Sequence, residues 1–344
     1  QIRKLDYTRP ITAAEDKTPD KSTIYDECDI VGINYNLNIY DTVHKMRPDK
    51  PIFASECCAT GTTRDWNFDT NTNGRIRDKD RDTNEWFLGR EKTYKFLRER
   101  SYVFGCYQWV AVEHRGEAMW PRVCSASGAL DLFLQKKGAF YQNKSHWSAK
   151  PMAHIVPHWN FKGLEGKELT VTVYTNCEEL ELFLNGKSFG KQQIEKYGHG
   201  EWNVEYTPGT LEVRGYIGGK EACCDKRVTT GKPAALKLTQ DNDFKANGSD
   251  IALFTCECLD ENGLTVPDAA EYVRFSVTAP AKIIGTGSDN CDHNNVANTE
   301  RKMYMGKIRI AVKPKQGQRS FTLTAMSGNC GIAALNCDCG LIFE

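Results

Sequence analysis

The chain has 344 residues, of which 45 are basic and 45 acidic, so its formal net charge is zero. No region of the sequence has the basic stripe that nucleic-acid binding would need, and no apolar run reaches the roughly 18 residues of a membrane-spanning helix. A chain of this length exceeds one ordinary hydrophobic core, so two or three domains are expected. We therefore predict neither a nucleic-acid partner nor a membrane span.

Fourteen cysteines are an unusual number for a chain of this length. They include the adjacent pairs Cys57-Cys58 and Cys223-Cys224, and the alternating pairs Cys256/Cys258 and Cys337/Cys339. No Cys-x-x-Cys occurs, so the usual spacing of zinc ligands is absent. The pattern fits small buried side chains within strands, as in a reducing compartment, and it also fits a disulfide framework.

Residues 1–150 have the pattern of an α/β region, in which buried strands alternate with helices. A helix is expected to end at residues 5–10. The sequence predicts strands at residues 11–14, 29–36, 51–55 and 102–110, and a helix that a capping box at residues 82–85 opens, with Trp86, Phe87, Tyr94 and Leu97 on its buried face.

From about residue 151 the pattern changes to alternating apolar and polar residues, which is typical of antiparallel strands. Residues 151–232 are predicted to form an immunoglobulin-like β-sandwich, with a hairpin at Asn185-Gly186. Residues 233–344 are predicted to form a second such sandwich. Its expected strands lie at residues 235–238, 251–259, 273–277, 307–312 and 321–325, with a turn at residues 260–263.

The predicted strand at residues 51–55 runs directly into a carboxylate, Glu56. A short apolar run of this kind is typical of a parallel strand that is buried on both faces. In barrels and open α/β sheets, the carboxyl ends of such strands carry the chemistry. From the pattern alone, Glu56 fits a catalytic carboxylate or an ordinary surface glutamate at a strand end.

Short motifs follow one another along the chain in a characteristic order. They are Leu5-Asp6-x-Thr8-Arg9-Pro10, Asp29-Ile30-Val31-Gly32-x-Asn34-Tyr35, Pro51-Ile52-x-x-Ser55-Glu56, Gly105-x-x-x-Trp109, Arg115-Gly116-Glu117, Trp120-Pro121, Pro157-His158-Trp159-Asn160 and the run from Thr175 to Lys187. This ordered set resembles glycoside hydrolase family 2, the family of β-galactosidases and β-glucuronidases. The resemblance implies that residues 1–150 are the second half, about strands five to eight, of a (β/α)8 TIM barrel, followed by two immunoglobulin-like domains.

The resemblance also implies a role for each residue at the strand ends. Glu56 matches the nucleophile of a retaining glycosidase, and Tyr35 matches a tyrosine that hydrogen-bonds it. Asn34 would lie in the same pocket, and Trp109 would form an aromatic surface for the sugar. The family's acid/base glutamate would precede this chain, so an isolated fragment is expected to be inactive. No cofactor is required for such chemistry.

Three further residues, Arg115, Glu117 and Trp120, follow the last predicted strand. They fit either a sugar pocket or a structural ion pair with a loop anchor. The family's glucuronidases carry an Asn-x-Lys where this chain has Ser125-Ala126-Ser127-Gly128, so a neutral substrate, a terminal β-galactoside or a related β-glycoside, is favoured over a glucuronide.

One motif is suggested by spacing alone. Asp69, Asn71, Asn73 and Asp80, with Gly74 at the turn, fit the positions of a calcium loop of the EF-hand type. Loops rich in Asn and Asp also match this pattern by chance. Calcium is therefore a candidate ligand.

The resemblance implies a β-linked sugar as substrate, and the remainder of the same enzyme as partner. A homo-oligomer is compatible with it. The expected location is the bacterial cytoplasm, with secretion or a periplasmic location as alternatives. The alternative function is a non-catalytic carbohydrate-binding or structural β-sandwich module that carries a remnant of a barrel.

Overall fold

The computed structural model describes residues 1–68 and 73–340. One parallel sheet with its helices lies within residues 1–150, and two β-sandwiches follow it along the chain. Within the described residues, no helix is both long and apolar enough to cross a lipid bilayer.

The first region contains a parallel sheet of four strands in the order β1-β2-β3-β4. The strands are β1 (Thr12–Glu15), β2 (Ile30–Asn34), β3 (Ile52–Cys57) and β4 (Val103–Gln108). The helices are α1 (Ile2–Leu5), α2 (Ile24–Glu27), α3 (Tyr40–Met46), α4 (Arg90–Arg98) and α5 (Gly138–Trp147), and a 3-10 turn (Leu37–Ile39) precedes α3.

The parallel sheet buries one face against its helices. Ile52 and Ala54 of β3 lie in a core that includes Tyr40 of α3 and Tyr94 of α4. On the other face, the ring of Phe53 lies 5.4 Å from that of Phe104 and 5.8 Å from that of Tyr107. Phe104 and Tyr107 are 61% and 69% exposed, so these rings lie open to solvent in the described structure.

The predicted start of the helix after the long loop is wrong. Residues 84–87 form bends, and α4 begins only at Arg90. The two carboxylate oxygens of Asp80 accept hydrogen bonds from the backbone N–H groups of Arg90 and Glu91, at 2.9 and 3.0 Å. A distant carboxylate thus satisfies the first turn, because Gly89 at the N-cap position has no side chain to do so.

The first sandwich packs two antiparallel sheets, β5-β6-β9 and β11-β10-β7-β8, around one core. Its strands are β5 (Ala153–Val156), β6 (Glu168–Thr175), β7 (Glu179–Leu184), β8 (Lys187–Gln193), β9 (His199–Glu205), β10 (Thr210–Ile217) and β11 (Lys220–Val228). The predicted hairpin is confirmed: Asn185 and Gly186 connect β7 to β8 with φ angles of 50° and 80°. Both angles lie in the left-handed region that this two-residue turn requires.

The second sandwich packs sheets β12-β13-β17-β15 and β16-β14-β18-β19. Its strands are β12 (Ala235–Gln240), β13 (Ala252–Leu259), β14 (Tyr272–Val277), β15 (Lys282–Gly287), β16 (Glu300–Lys302), β17 (Lys307–Lys313), β18 (Ser320–Ser327) and β19 (Gly331–Asp338). Phe254 and Phe321, whose ring centroids are 6.0 Å apart, lie in its core.

Buried polar contacts fix the second sandwich to the loops that follow β3 and β4. The Lys137 ammonium lies 2.5 Å from a carboxylate oxygen of Glu113, and the other oxygen of Glu113 accepts a hydrogen bond from the Asn290 amide. Arg64 pairs with Asp131 at 2.8 Å. Its guanidinium also donates to backbone oxygens of the second sandwich. The loops around the parallel sheet are therefore held by a different domain.

All 14 cysteines are free in the structure, and most are buried. Cys256 and Cys258 contribute to the core of the second sandwich, as do Cys337 and Cys339. Cys57 and Cys58 lie in the core beneath the parallel sheet. These thiols act here as small apolar side chains.

Candidate active site

The carboxyl ends of β2, β3 and β4 meet at one edge of the parallel sheet. Asn34 ends β2 and Tyr35 follows it, Glu56 lies near the end of β3, and Trp109 follows β4. The backbone N–H of Trp109 donates to the Cys57 carbonyl at 2.8 Å, which continues the strand pairing to this point. The structure thus brings four of the predicted site residues to one edge.

Tyr35 and Glu56 are in direct contact. The Tyr35 hydroxyl donates to Oε2 of Glu56 at 2.8 Å, and the Tyr35 backbone N–H donates to the Glu56 carbonyl, also at 2.8 Å. Both side chains are half-buried. The phenol therefore fixes the orientation of the carboxylate while leaving Oε1 without a hydrogen bond to a described residue.

Two backbone irregularities produce this contact. The pairing of β2 with β3 shifts at Ile33/Asn34, so that Asn34 lies opposite Glu56 and not opposite Ser55. Tyr35 then takes a φ of 54°, in the left-handed region that non-glycine residues seldom adopt. Bulges next to active sites commonly re-aim a side chain in this way.

Gly32 allows the strands beside the site to approach closely. A Cβ atom at this position would lie 2.8 Å from the Ala13 carbonyl oxygen and 2.9 Å from Oγ of Ser55. The Ser55 hydroxyl in turn donates to Oδ1 of Asn34 at 2.8 Å. Gly32 therefore permits a hydrogen bond that orients the Asn34 amide beside Glu56.

Burial, and next the hydrogen bond to the Glu56 carboxylate, raise the pKa of Tyr35 well above its usual range. The phenol therefore stays protonated at neutral pH. It can act as a permanent donor to Glu56 but not as a general base.

The structure places Trp109 and Glu117 together as well. The Trp109 indole N–H donates to Oε2 of Glu117 at 3.3 Å, and the His114 ring lies edge-on at 5.6 Å from the Trp109 ring. His114 Nε2 is 3.6 Å from the same carboxylate oxygen. Glu117 adopts a φ of 49°, so the loop after β4 folds back over Trp109.

Arg115 and Trp120 are not drawn into this cluster. Arg115 is exposed. Trp120 is 83% exposed and lies against the ring of His293 in the second sandwich, with 4.8 Å between the ring centroids. In the described structure, Trp120 thus contacts another domain, and its role stays a prediction.

A cavity of about 390 Å³ opens beside Asn34 and Tyr35. Glu15 and Asp16 at the end of β1 line it, as do Asn84, Trp86 and Phe87 from the loop before α4. Phe87 packs edge-on against the Tyr35 ring at 4.9 Å. Sequence reasoning missed this wall because it assigned Trp86 and Phe87 to a helix.

The sequence does contain a local signal that Trp86 and Phe87 lie outside a helix. Oδ1 of Asn84 accepts hydrogen bonds from the backbone N–H groups of Trp86 and Phe87, both at 2.9 Å. This is an Asx-type turn, which competes with a helix start. Gly89 shortly afterwards marks the true boundary.

The calcium loop stays a prediction. Asp69 and Asn71 lie outside the described residues. Oδ1 of Asn73 accepts a hydrogen bond from the Arg75 N–H at 3.2 Å, while the Asp80 carboxylate caps α4 and accepts from Gln142 at 2.8 Å. Among the described residues, no cluster of three or more His, Cys, Asp or Glu side chains could hold a metal ion.

Comparisons with known proteins agree with the pattern of these elements. The family model "Glycoside hydrolase family 2 C-terminal domain 5" matches residues 236–336, which form the second sandwich. A model described as a domain of unknown function, DUF4982, matches residues 166–223 in the first sandwich. A β-galactosidase of Bacteroides ovatus, BoGH2A, is 29% identical over 94% of this chain. The chain belongs to glycoside hydrolase family 2.

Other relatives in the family carry different activities in their names. A putative β-glucuronidase of Formosa agariphila is 30% identical over 71% of the chain. The chain spans 41% of the length of the Bacteroides ovatus protein and 25% of that of the Formosa protein. It therefore corresponds to less than half of these family 2 proteins.

Solved structures extend the similarity to the whole fold. A glycosyl hydrolase family 2 member from Bacteroides cellulosilyticus matches 97% of this chain with a TM-score of 0.81 and 28% identity. A β-glycosidase from Bacteroides vulgatus matches 98% of it with a TM-score of 0.86, at 23% identity. The chain covers 44% and 48% of these two structures.

Proposed function

We propose that this chain is the C-terminal part of a retaining, exo-acting β-glycosidase in which Glu56 is the nucleophile. The contact between the Tyr35 hydroxyl and the Glu56 carboxylate, at 2.8 Å on the carboxyl edge of a parallel sheet, carries the proposal. Its neighbour is a cavity lined by Trp86 and Phe87, whose rings suit the apolar face of a sugar.

Glu56 would attack the anomeric carbon and displace the aglycone, so that a glycosyl–enzyme ester forms. Tyr35 would keep the carboxylate ionised and aimed, and it would stabilise that carboxylate again when water releases the sugar. A retaining mechanism needs a second carboxyl group about 5–5.5 Å from the first, as proton donor and then as base. We infer that this group comes from a part of the protein outside this chain.

The exposed face of the parallel sheet supports this inference. Phe104 and Tyr107 present apolar rings to solvent, although a barrel would enclose them. Among the described residues, β1 and β4 are also the two edge strands of this sheet, and isolated proteins usually cover such edges. The four strands would be the second half of a (β/α)8 barrel, and the remainder of the same enzyme would supply the first half.

A neutral terminal β-galactoside, or a related neutral β-glycoside, is the proposed substrate. The segment from Ser125 to Gly128 contains no lysine to hold a sugar carboxylate. In the structure Ser125 is buried, and its hydroxyl lies 3.2 Å from Nδ1 of His114. The similarity to BoGH2A over 94% of the chain supports the same choice.

The experiment for the nucleophile uses the full-length protein with Glu56→Gln. Turnover of nitrophenyl β-galactoside should fall by at least about 10⁴-fold, on the scale seen when a covalent nucleophile is removed. Glu27→Gln, a change at an exposed glutamate of α2, is the matched control and should retain activity. Activity near that of the wild type in the Glu56→Gln enzyme would refute the assignment.

A second measurement tests the retaining chemistry. Glu56→Ala leaves space where the carboxylate was, and azide can enter there as an external nucleophile. Azide should restore turnover of an activated glycoside and give a glycosyl azide of inverted configuration. If azide neither restores turnover nor yields that product, then Glu56 is not the nucleophile.

The proposed preference for a neutral sugar is tested by comparing the turnover of nitrophenyl β-galactoside with that of nitrophenyl β-glucuronide by the same enzyme. We expect the ratio of kcat/KM values to favour the galactoside by 100-fold or more, on the scale of a site that lacks a partner for a charged group. A preference for the glucuronide would overturn the choice of substrate and leave the role of Glu56 intact.

A further inference from the structure

A second, larger cavity of about 840 Å³ lies between the second sandwich and the loop that follows β3. Trp66 and Arg75 from that loop form one side, and Tyr272, Lys302 and Tyr304 of the second sandwich lie around it. It shares no lining residue with the cavity beside Tyr35. We call it the interdomain groove.

One wall of the interdomain groove is a rigid stack. The Arg75 guanidinium lies 5.4 Å from the centre of the Trp66 ring and 4.9 Å from that of Tyr304. Asp289 pairs with the same guanidinium, and the Tyr304 hydroxyl donates to the Arg64 carbonyl at 3.1 Å. The structure therefore fixes this wall before any ligand arrives.

Another part of the lining is exposed to solvent. Tyr272 is the first residue of β14, and its side chain is 64% exposed. The Lys302 ammonium on the paired strand lies 5.9 Å from the centre of its ring. An exposed tyrosine beside a groove offers a flat apolar ring with a polar tip.

The charges that line the interdomain groove neutralise one another. Four cationic side chains (Arg75, Arg274, Arg301, Lys302) and four acidic ones (Asp268, Asp289, Asp292, Glu300) surround it. Arg301 lies 2.5 Å from Asp292, and Arg274 lies 3.0 Å from Glu300. A balanced set of paired charges attracts neither an anion nor a cation, but it offers hydrogen-bond donors and acceptors to hydroxyl groups.

These features define the chemistry of a ligand. It should be uncharged, rich in hydroxyl groups, and should have a flat apolar face that can lie on an aromatic ring. A pyranose ring has these properties, because its axial C–H groups form an apolar face while its hydroxyls project from the edge. The volume lies within the range of about 300–1,000 Å³ that is typical of ligand sites.

We infer that the interdomain groove is a carbohydrate-binding site, distinct from the sugar site at the strand ends, that holds a neutral oligosaccharide with Tyr272 as a stacking platform. The second sandwich would then do more than support the catalytic loops. It would hold part of a glycan while another part of that glycan is processed. Only this last step depends on the proposed glycosidase activity; the binding itself does not.

The test measures binding directly, so it does not depend on catalysis. The full-length protein with Glu56→Gln is titrated by calorimetry with neutral β-linked tetrasaccharides (galactotetraose, cellotetraose and mannotetraose) and with an acidic tetragalacturonide. We expect at least one neutral tetrasaccharide to bind. Adding Tyr272→Ala should weaken that binding about fivefold to tenfold, as when one aromatic contact is lost.

Two variants serve as controls. Tyr272→Phe keeps the ring and should bind nearly as the parent does. Ile332→Ala removes an apolar side chain that is 65% exposed on β19 of the same sheet, and it should leave the affinity unchanged. Because both positions are exposed, none of these changes should unfold the sandwich.

The inference is overturned if no neutral tetrasaccharide binds at millimolar concentration, or if Tyr272→Ala binds as tightly as its parent. Binding of the acidic tetragalacturonide alone would also overturn it. A protein that binds the neutral sugar through Tyr272 but never hydrolyses nitrophenyl glycosides would uphold the inference and refute the proposed function.

Discussion

The parallel sheet and the second sandwich differ in the exposure of their aromatic residues. In the sandwich, Phe254 and Phe321 lie between two sheets, and each is at most 3% exposed. In the parallel sheet, Phe104 and Tyr107 are more than half exposed, although Ile52 and Ala54 lie in a core with the helices. The sandwich therefore encloses its aromatic residues in its own core, whereas the parallel sheet leaves Phe104 and Tyr107 exposed to solvent.

This difference indicates that different regions of the chain provide its stability and its candidate active site. A sheet that is buried on both faces needs a layer on each side. The sandwiches supply theirs internally, so we expect them to determine the stability of this chain. The parallel sheet, which carries Glu56 and Tyr35, depends on contacts with the sandwiches through Glu113 and Arg64.

The largest expected effect compares two phenylalanines. Phe254→Ala should destabilise the second sandwich by about 3–5 kcal/mol, since it leaves a cavity in a closed core. Phe104→Ala should change the unfolding free energy of the chain by no more than about 0.5 kcal/mol, because its ring is already solvated. Urea denaturation of both variants provides the measurement. Equal losses of unfolding free energy would show that Phe104 is packed as closely as Phe254.

The free-energy cost of Phe104→Ala should be larger in the full-length protein. If the rest of the enzyme covers the open face, Phe104→Ala should then cost about 3 kcal/mol, like a core substitution. Tyr7→Ala, at a position that is 90% exposed on the loop after α1, is the control and should cost nothing measurable in either context.

The buried ion pair of Lys137 with Glu113, which also contacts Asn290 of the second sandwich, gives an effect of similar size. Lys137→Met leaves the Glu113 carboxylate buried without its counter-ion, and this should cost about 3–5 kcal/mol. The double variant with Glu113→Leu should recover most of the loss, because no uncompensated charge remains. Thermal unfolding of both variants checks this. If the double variant is no more stable than the single one, then the buried charge is not the cause.

A smaller effect concerns pH at the junction of α5 with the first sandwich. Burial, and next the charge of Arg98, lower the pKa of His146 to about 4. The folded protein therefore keeps His146 neutral, while the unfolded chain protonates it near its ordinary pKa of about 6.5. Stability should fall by up to roughly 1.4 kcal/mol per pH unit as the pH drops from about 6.5 towards 4.

His146→Gln removes this titration and should flatten the dependence of the unfolding free energy on pH within that window. Denaturation curves at half-unit intervals of pH provide the comparison. Because the substitution also changes packing against Tyr94, the slope is the readout and not the absolute stability. An unchanged slope would mean that other groups cause the loss at low pH.

The smallest effect tests the hydrogen bond at the candidate site. Tyr35→Phe removes the donor to Glu56 and should lower kcat of the full-length enzyme about tenfold, with little change in KM, since one charge-assisted hydrogen bond is lost. Tyr7→Phe, at an exposed position, should leave kcat unchanged. A Tyr35→Phe enzyme with normal kcat would assign Tyr35 a purely structural role.

Much of the fold was predictable because it depends on local patterns. Alternation of apolar and polar residues located β6, β7 and β10, and Asn185-Gly186 fixed a hairpin that needs two left-handed residues. The buried strands of the parallel sheet were recognisable as continuous apolar runs. The start of α4 was not, because its cap is the Asp80 carboxylate, ten residues away in sequence.

By itself, the sequence located the strands of the parallel sheet and several strands of each sandwich, and it placed Glu56 near the end of one of them, since strand periodicity and turn chemistry are local properties. Only the tertiary structure decided that the Tyr35 hydroxyl reaches Glu56, because this needs a bulge between β2 and β3 and a left-handed backbone at Tyr35. It also decided that Trp86 and Phe87 form a cavity wall and that Tyr272 borders a groove. These positions result from packing between distant segments, which no local pattern encodes.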